Sequence, residues 1–173
     1  RMANQMAADG AEQERPLVLG IRTKGIFLAR RIAEELARIL KRRVEVGEIE
    51  IYGVAGDELQ GDSRQLSEGR LLDIKDRSIV LVDDVIHTGR TIKNALSIIF
   101  KSGRPLSIRL AVLIDRGHRE IPVKADYVGK HIPSSLRERV RVKLREVEKD
   151  ERDKVVVYSM VHPETSSDKR AVL

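Results

Sequence analysis

Residues 79–91 read IVLVDDVIHTGRT. Four apolar residues lead into two adjacent carboxylates, Asp83 and Asp84, and then into a turn rich in threonine and glycine. Such a run suits a buried strand that delivers its acids to a sheet edge. The turn then opens a helix. Backbone N–H groups at a helix start, together with the Thr88 and Thr91 hydroxyls, can hold a phosphate. Carboxylates a few residues earlier can accept hydrogen bonds from sugar hydroxyls or help hold hydrated Mg²⁺. One continuous segment therefore has the parts to grip a ribose with its 5′-phosphate. Two other readings stay open: a Walker B acid pair and a plain strand end with a helix cap. The first is disfavoured because the sequence holds no G-x-x-x-x-G-K-[ST].

A second segment, 20–25, reads GIRTKG and follows the apolar run LVLGI of 17–21. Its glycines let backbone donors close in, and Arg22 and Lys24 bring charge, which suits a diphosphate cradle. A basic turn before a helix is common, so this segment gains meaning only beside the first.

The elements that must position these residues follow from periodicity. Residues 17–21 read as a buried strand. From Gly25 to Leu40, Ile26, Ile32, Ala33, Leu36, Ala37 and Leu40 fall at helical spacing, with charge on the other face. Residues 44–52 alternate as a half-exposed strand. Residues 53–70 are rich in Gly and acids, and a loop of that length is often a lid over a site. After the strand at 79–82, a helix is expected from about Arg90 to Lys101, stopped by Gly103 and Pro105. Further strands are expected at 108–114, 126–129, 139–146 and 155–158. Strand–helix–strand repetition argues for an α/β fold with a mainly parallel sheet and helices on both faces. One domain is expected over 1–160, followed by a polar, disordered tail at 161–173. Residues 1–15 read as the end of a helix and a polar connector, and the absence of an initial Met suggests missing N-terminal sequence.

Composition excludes several chemistries. The 173 residues include no cysteine, so disulfides, thiolate metal sites and cysteine nucleophiles are out. No apolar run approaches the roughly 20 residues of a membrane span, and no signal peptide is evident, so a cytoplasmic home is the default. The net charge is +6, but between Arg104 and Arg145 there are 11 Lys/Arg against four Asp/Glu, a local +7 that leaves −1 for the rest. Such asymmetry points to a polyanion or to phosphorylated ligands, and equally to a solvated surface. With five Phe and Tyr and no Trp, stacking platforms for bases are few.

The 79–91 run resembles the phosphoribosyl diphosphate (PRPP) fingerprint of type I phosphoribosyltransferases. Residues 103–135, GRPLSIRLAVLIDRGHREIPVKADYVGKHIPSS, resemble the PyrR family of pyrimidine-operon attenuation regulators and uracil phosphoribosyltransferases. The likeness runs from the first helix to about Tyr158. It implies a type I phosphoribosyltransferase fold with a small hood and a flexible loop. It implies Mg²⁺-dependent transfer of phosphoribosyl from PRPP to uracil, giving UMP and pyrophosphate. It also implies binding of a pyrimidine (pyr) operon mRNA leader under the control of UMP or UTP, by a homodimer or homotetramer. By the same resemblance Asp83 and Asp84 would meet the ribose hydroxyls, and Thr88, Gly89, Arg90 and Thr91 the 5′-phosphate. Arg22, Thr23, Lys24 and Gly25 would meet the pyrophosphate, and Asp115, Arg116, Gly117 and His118 the uracil. Arg119, Lys124 and Lys130 would meet RNA. His118 also reads as a histidine facing solvent or RNA, and His87 as a packing residue rather than a general base. The chain departs from the family after Tyr52, where it reads GVAGDE, and at Asn4, where many relatives carry His. Two alternatives remain: a regulator that senses nucleotides and binds RNA without turnover, and a phosphoribosyltransferase for another base without RNA binding.

Overall fold

The computed structural model of the chain describes residues 1–11, 16–51, 65–67, 70–148, 151–159 and 169–171. A short helix α1 (Met2–Met6) runs into an irregular turn over Ala7–Ala11. Strand β1 (Pro16–Ile21) follows, then helix α2 (Gly25–Leu40) and strand β2 (Glu45–Ile49). Next come two short strands, β3 (Gln65–Ser67) and β4 (Arg70–Leu71), and the long strand β5 (Ser78–Ile86). Helix α3 (Arg90–Ser102), strand β6 (Ser107–Asp115) and strand β7 (Tyr127–His131) complete the main sheet. The C-terminal part adds β8 (Glu138–Lys143), one helical turn α4 (Arg145–Glu148), β9 (Lys154–Ser159) and β10 (Lys169–Ala171).

The main sheet has the order β4-β3-β2-β1-β5-β6-β7. The strands from β2 to β7 pair in parallel, and β3 and β4 add an antiparallel edge. Parallel strands covered on both faces read as unbroken apolar runs, which is why 17–19 and 79–82 showed no alternation. Successive side chains point to opposite faces, so each run feeds two cores. Val18, Val80 and Val82 pack with α1 and α2 through Leu28, Ala29, Ala33 and Leu36. Leu17, Leu19, Ile79 and Leu81 pack with α3 through Ile92, Ala95 and Ile99.

Strands β8, β9 and β10 form a separate antiparallel sheet, the hood. Its Val142, Val155 and Val157 join the α2-side core. Charge then ties it down: Arg31 of α2 donates to Glu146 at 2.7 Å and to Asp153 at 2.6 Å.

The helices and the expected mainly parallel sheet stand as the sequence suggested. Several expectations are corrected. Asp83 and Asp84 do not end their strand, since β5 continues to Ile86. The span 139–146 is not one strand: β8 stops at Lys143 and a helical turn follows. Residues 65–67 and 70–71, expected within a loop, are edge strands. Lys169–Ala171, expected as disordered tail, pair with β9 in the register Lys169↔Tyr158. The rest of the lid expected over 53–70, including the departure after Tyr52, lies outside the described residues.

Candidate active site at the rim of β1 and β5

Strands β1 and β5 are parallel neighbours with Gly20 opposite Val82, so both leave the sheet at one rim. The chain turns over 22–24 and enters α2 at once. Two glycines make this turn possible. A Cβ on Gly20 would stand 2.3 Å from the Ile26 Cα. A Cβ on Gly25 would stand 2.4 Å from the Val82 carbonyl oxygen and 3.3 Å from the Asp83 Cα. Any side chain there would force the start of α2 away from β5. The GIRTKG turn is thereby seated against the acid pair.

The Asp83 side chain is buried, and its carboxylate accepts the Asp84 N–H at 2.9 Å. The Asp84 carboxylate accepts the Val85 N–H at 2.9 Å. Burial pushes the Asp83 carboxyl well above the usual carboxylate range, and the Asp84 charge adds to the push. Burial raises Asp84 as well, opposed by the charge of Lys24. Two carboxylates are thus held where ionisation is costly, a condition that a cation or hydroxyl donors would relieve. Among the described residues no group of three or more His, Asp or Glu gathers as a metal cage. The pair suits the hydration shell of a divalent cation brought in by a diphosphate, rather than a resident ion.

Both cations of the turn are matched by acids of the chain. Arg22 donates to Glu50 at 2.6 Å and stands 3.7 Å from Glu48. Lys24 pairs with Glu148 at 2.9 Å and donates to the Val142 carbonyl. A diphosphate entering this cradle competes with carboxylates already there. The pairing of Glu48, Glu50 and Glu148 with these cations was not read from the sequence, because nothing local links Lys24 to the hood.

The turn between β5 and α3 spans 87–89. Gly89 takes φ +93°, a left-handed conformation that favours glycine, and starts α3. Thr88 and Thr91 sit at this helix start, and the Thr88 hydroxyl accepts the Arg90 N–H at 3.4 Å. The Arg90 guanidinium pairs with Glu120 at 2.7 Å.

The loop after β6 is stitched to that turn. Ile86 pairs with Asp115 in register, and the Arg116 and Glu120 N–H groups donate to the Ile86 and Thr88 carbonyls. Arg119 donates to Asp115 at 2.7 Å, to the His87 carbonyl at 2.8 Å and to the Val123 carbonyl at 3.0 Å. Its guanidinium thus ties the loop after β6 to the 87–89 turn, and the side chain keeps 20% of its surface exposed. Burial pushes Asp115 up, yet hydrogen bonds from Arg119 and the Gly117 N–H leave it below its ordinary value.

Arg116 is buried and donates to the Ser135 carbonyl at 2.9 Å, while its Nε has no partner. Gly117 and His118 both take positive φ, and the His118 Nε2 lies 2.5 Å from the Ser134 carbonyl. His118 meets His87 edge to face, with ring centroids 6.1 Å apart. Burial, and then the Arg116 charge, lowers the His87 pKa, so a neutral packing histidine fits this place. Lys124 and Lys130 are both exposed but flank different cavities: Lys124 one with Phe100 and Leu106, Lys130 one with Leu28 and Leu113. Residues 20–25, 83–91 and 115–118 therefore share one rim.

A parallel sheet with a basic turn and an acid pair at one rim defines a class. The sequence matches the phosphoribosyl transferase domain over residues 1–154, and the chain belongs to that family. Within it the chain groups with the bifunctional PyrR proteins. It is 41% identical to the Bifunctional protein PyrR of Bacillus cereus over 162 residues, covering 91% of this chain and 89% of that protein. The fold is shared more widely. A Trypanosoma cruzi hypoxanthine phosphoribosyl transferase superposes with a TM-score of 0.66 at 21% identity, covering 91% of this chain and 82% of that one. A hypoxanthine phosphoribosyltransferase from Staphylococcus aureus gives 0.59 at 21% identity, covering 76% and 69%.

Proposed function

We propose that the rim site transfers the phosphoribosyl group of PRPP to uracil, and that the same chain binds a pyr operon mRNA leader under uridine-nucleotide control. The observation that carries the first half is the seating of the GIRTKG turn against Asp83, enforced by Gly25 on the Val82 carbonyl. It seats the basic 20–25 turn beside Asp83, on the strand that leads into the Thr/Gly turn, which supports reading the three segments as one site.

In the reaction the C1–O bond to the diphosphate breaks as uracil N1 bonds to C1, and the N1 proton is released. The leaving diphosphate gathers negative charge, so charge neutralisation does most of the catalytic work. Arg22 and Lys24 supply it once released from Glu50 and Glu148. Mg²⁺, when bound with PRPP beside Asp83 and Asp84, supplies further neutralisation of the diphosphate. Asp83 and Asp84 orient the ribose through its hydroxyls. Thr88, Gly89, Arg90 and Thr91 hold the 5′-phosphate, and the 115–118 loop positions uracil. Among the described residues no helix is long and apolar enough to cross a membrane.

The test is a base panel of uracil, cytosine, hypoxanthine and guanine, each with PRPP and Mg²⁺, read by pyrophosphate release. Uracil alone is expected to turn over. Release with a purine would redirect the specificity. No release with any base, alongside a UMP-dependent mobility shift of leader RNA, would make the chain a sensor without turnover.

A further inference from the structure

The C-terminal excess of positive charge is not absorbed by the rim. Arg119 donates its hydrogen bonds to Asp115 and to the His87 and Val123 carbonyls. Much of the remaining charge lies on β8, where the strand period sorts it. Val140 and Val142 face the core, with Val157 and Val155 opposite them in register. The other face carries Arg139, Arg141 and Lys143, opposite Tyr158, Val156 and Lys154. Arg139 and Arg141 are exposed, and Lys143, Lys154 and Tyr158 are half-buried. Lys169 of β10 occupies the position paired with Tyr158. No Asp or Glu holds a position on this face of the three strands. Glu138 falls on the other side, and its carboxylate accepts the Ser135 N–H at 2.7 Å.

The Arg141 guanidinium lies over the Tyr158 ring, 5.8 Å from its centroid. Of the two, Arg141 is exposed and Tyr158 half-buried. Nucleobases stack on guanidinium planes and on aromatic rings, and flanking cations take the phosphates. A lipid surface would ask for exposed apolar anchors among the charges, and Arg139 and Arg141, the exposed residues of this face, are both charged. The chemistry fits a strand of nucleic acid lying across a small antiparallel sheet.

We propose that the outer face of the hood sheet is a second RNA-contacting surface, with Arg139, Arg141, Lys143 and Lys154 on phosphates and a base stacked on the Arg141–Tyr158 pair. This rests on the RNA half of the proposed function and adds a place that Lys124 and Lys130 do not cover.

The experiment uses the full chain and a fluorescein-labelled, 20-nucleotide single-stranded RNA of mixed sequence, read by anisotropy across a salt series. Arg139→Ala combined with Arg141→Ala is expected to weaken binding at least tenfold at low salt. It should also reduce the slope of log affinity against log salt by about 1.4, roughly 0.7 for each lost phosphate contact. Tyr158→Leu should weaken binding about fivefold or more with the slope unchanged. Unaltered melting temperature and pyrophosphate release would show that the variants are folded. If both variants bind like the parent while Lys124→Ala with Lys130→Ala weakens binding, the hood surface is refuted and RNA binding stands. If the parent does not bind this RNA, the hood surface is refuted, while the UMP-dependent mobility shift of leader RNA decides the RNA half of the proposed function separately. Co-sedimentation of the parent, but not the arginine variant, with phosphatidylserine vesicles in place of RNA binding would assign the face to a membrane and overturn the proposal.

Discussion

Asp83 and Asp84 at the rim are pushed above the usual carboxylate range, while Glu146, Glu148 and Asp153, where the hood meets α2, are held below it. At the rim, burial is the main cause, and for Asp84 the charge of Lys24 opposes it without winning. At the hood seam, Arg31 hydrogen-bonds Glu146 and Asp153, and for Glu148 burial is overcome by Lys24 together with the Leu144 N–H and the Lys143 charge. The same kind of side chain is therefore costly in one region and stabilising in the other. The rim keeps unrelieved charge, which a ligand can relieve. The seam has its charge satisfied already and holds the hood in place. Lys24 belongs to both regions, since it pairs with Glu148 and its field reaches Asp84.

The largest expected effect tests the rim as a ligand site. Asp84→Asn keeps shape and hydrogen-bonding capacity but removes the charge. Pyrophosphate release with uracil should fall by about 10²–10³-fold in kcat/KM, the scale of a lost electrostatic contact in a catalytic site. The melting temperature should not fall. A variant that loses activity only because it unfolds would erase the contrast between the two regions.

Asp83→Asn probes the cost itself. The folded carboxyl titrates above its unfolded value near 3.9, so the folded state binds more protons in that window. Its stability therefore declines as pH rises from about 4. Asparagine cannot titrate, and its side-chain oxygen can still accept the Asp84 N–H. At pH 7.5 the ligand-free variant should melt roughly 2–6 °C higher than the parent, and the two curves should converge near pH 4. A variant that is less stable at pH 7.5 would mean the buried acid is satisfied without ligand.

The chemistry of the rim was legible because its parts are local. An apolar run, two acids and a Thr/Gly turn lie within residues 79–91, and the basic turn lies within 20–25. The helices were legible because apolar residues repeat at a helical period over 25–40 and 90–102. What joins these segments was not legible. The contact of Gly25 with the Val82 carbonyl depends on β1 and β5 being neighbours, which no local pattern states. Arg119 looked like surface charge because its acceptors, Asp115 apart, are main-chain carbonyls, and these carry no sequence signature. The strands at 65–67 and 70–71 are very short, and their form comes from pairing, β3 with β2 and β4 with β3, rather than from propensity. The hood face needed the β8–β9 register before Arg139, Arg141 and Tyr158 could be placed together.

The smallest expected effect lies at the seam. Arg31 donates to both oxygens of Glu146 and to Asp153, with each partner about one-third exposed. Solvent screens such a network, so it contributes about 1 kcal/mol at neutral pH. Arg31→Met keeps the apolar stem that covers α2 and removes only the charge. Because the folded carboxyls titrate below their unfolded values near 4, the contribution is complete above about pH 5. It is lost as pH falls through the folded values. Parent and variant should differ by roughly 2–4 °C in melting temperature at pH 7 and converge below about pH 3. Salt at 1 M should narrow the gap at pH 7 as well. A gap that persists through both acid and salt would make the seam an apolar contact, and the electrostatic contrast between hood and rim would reduce to the buried acids alone.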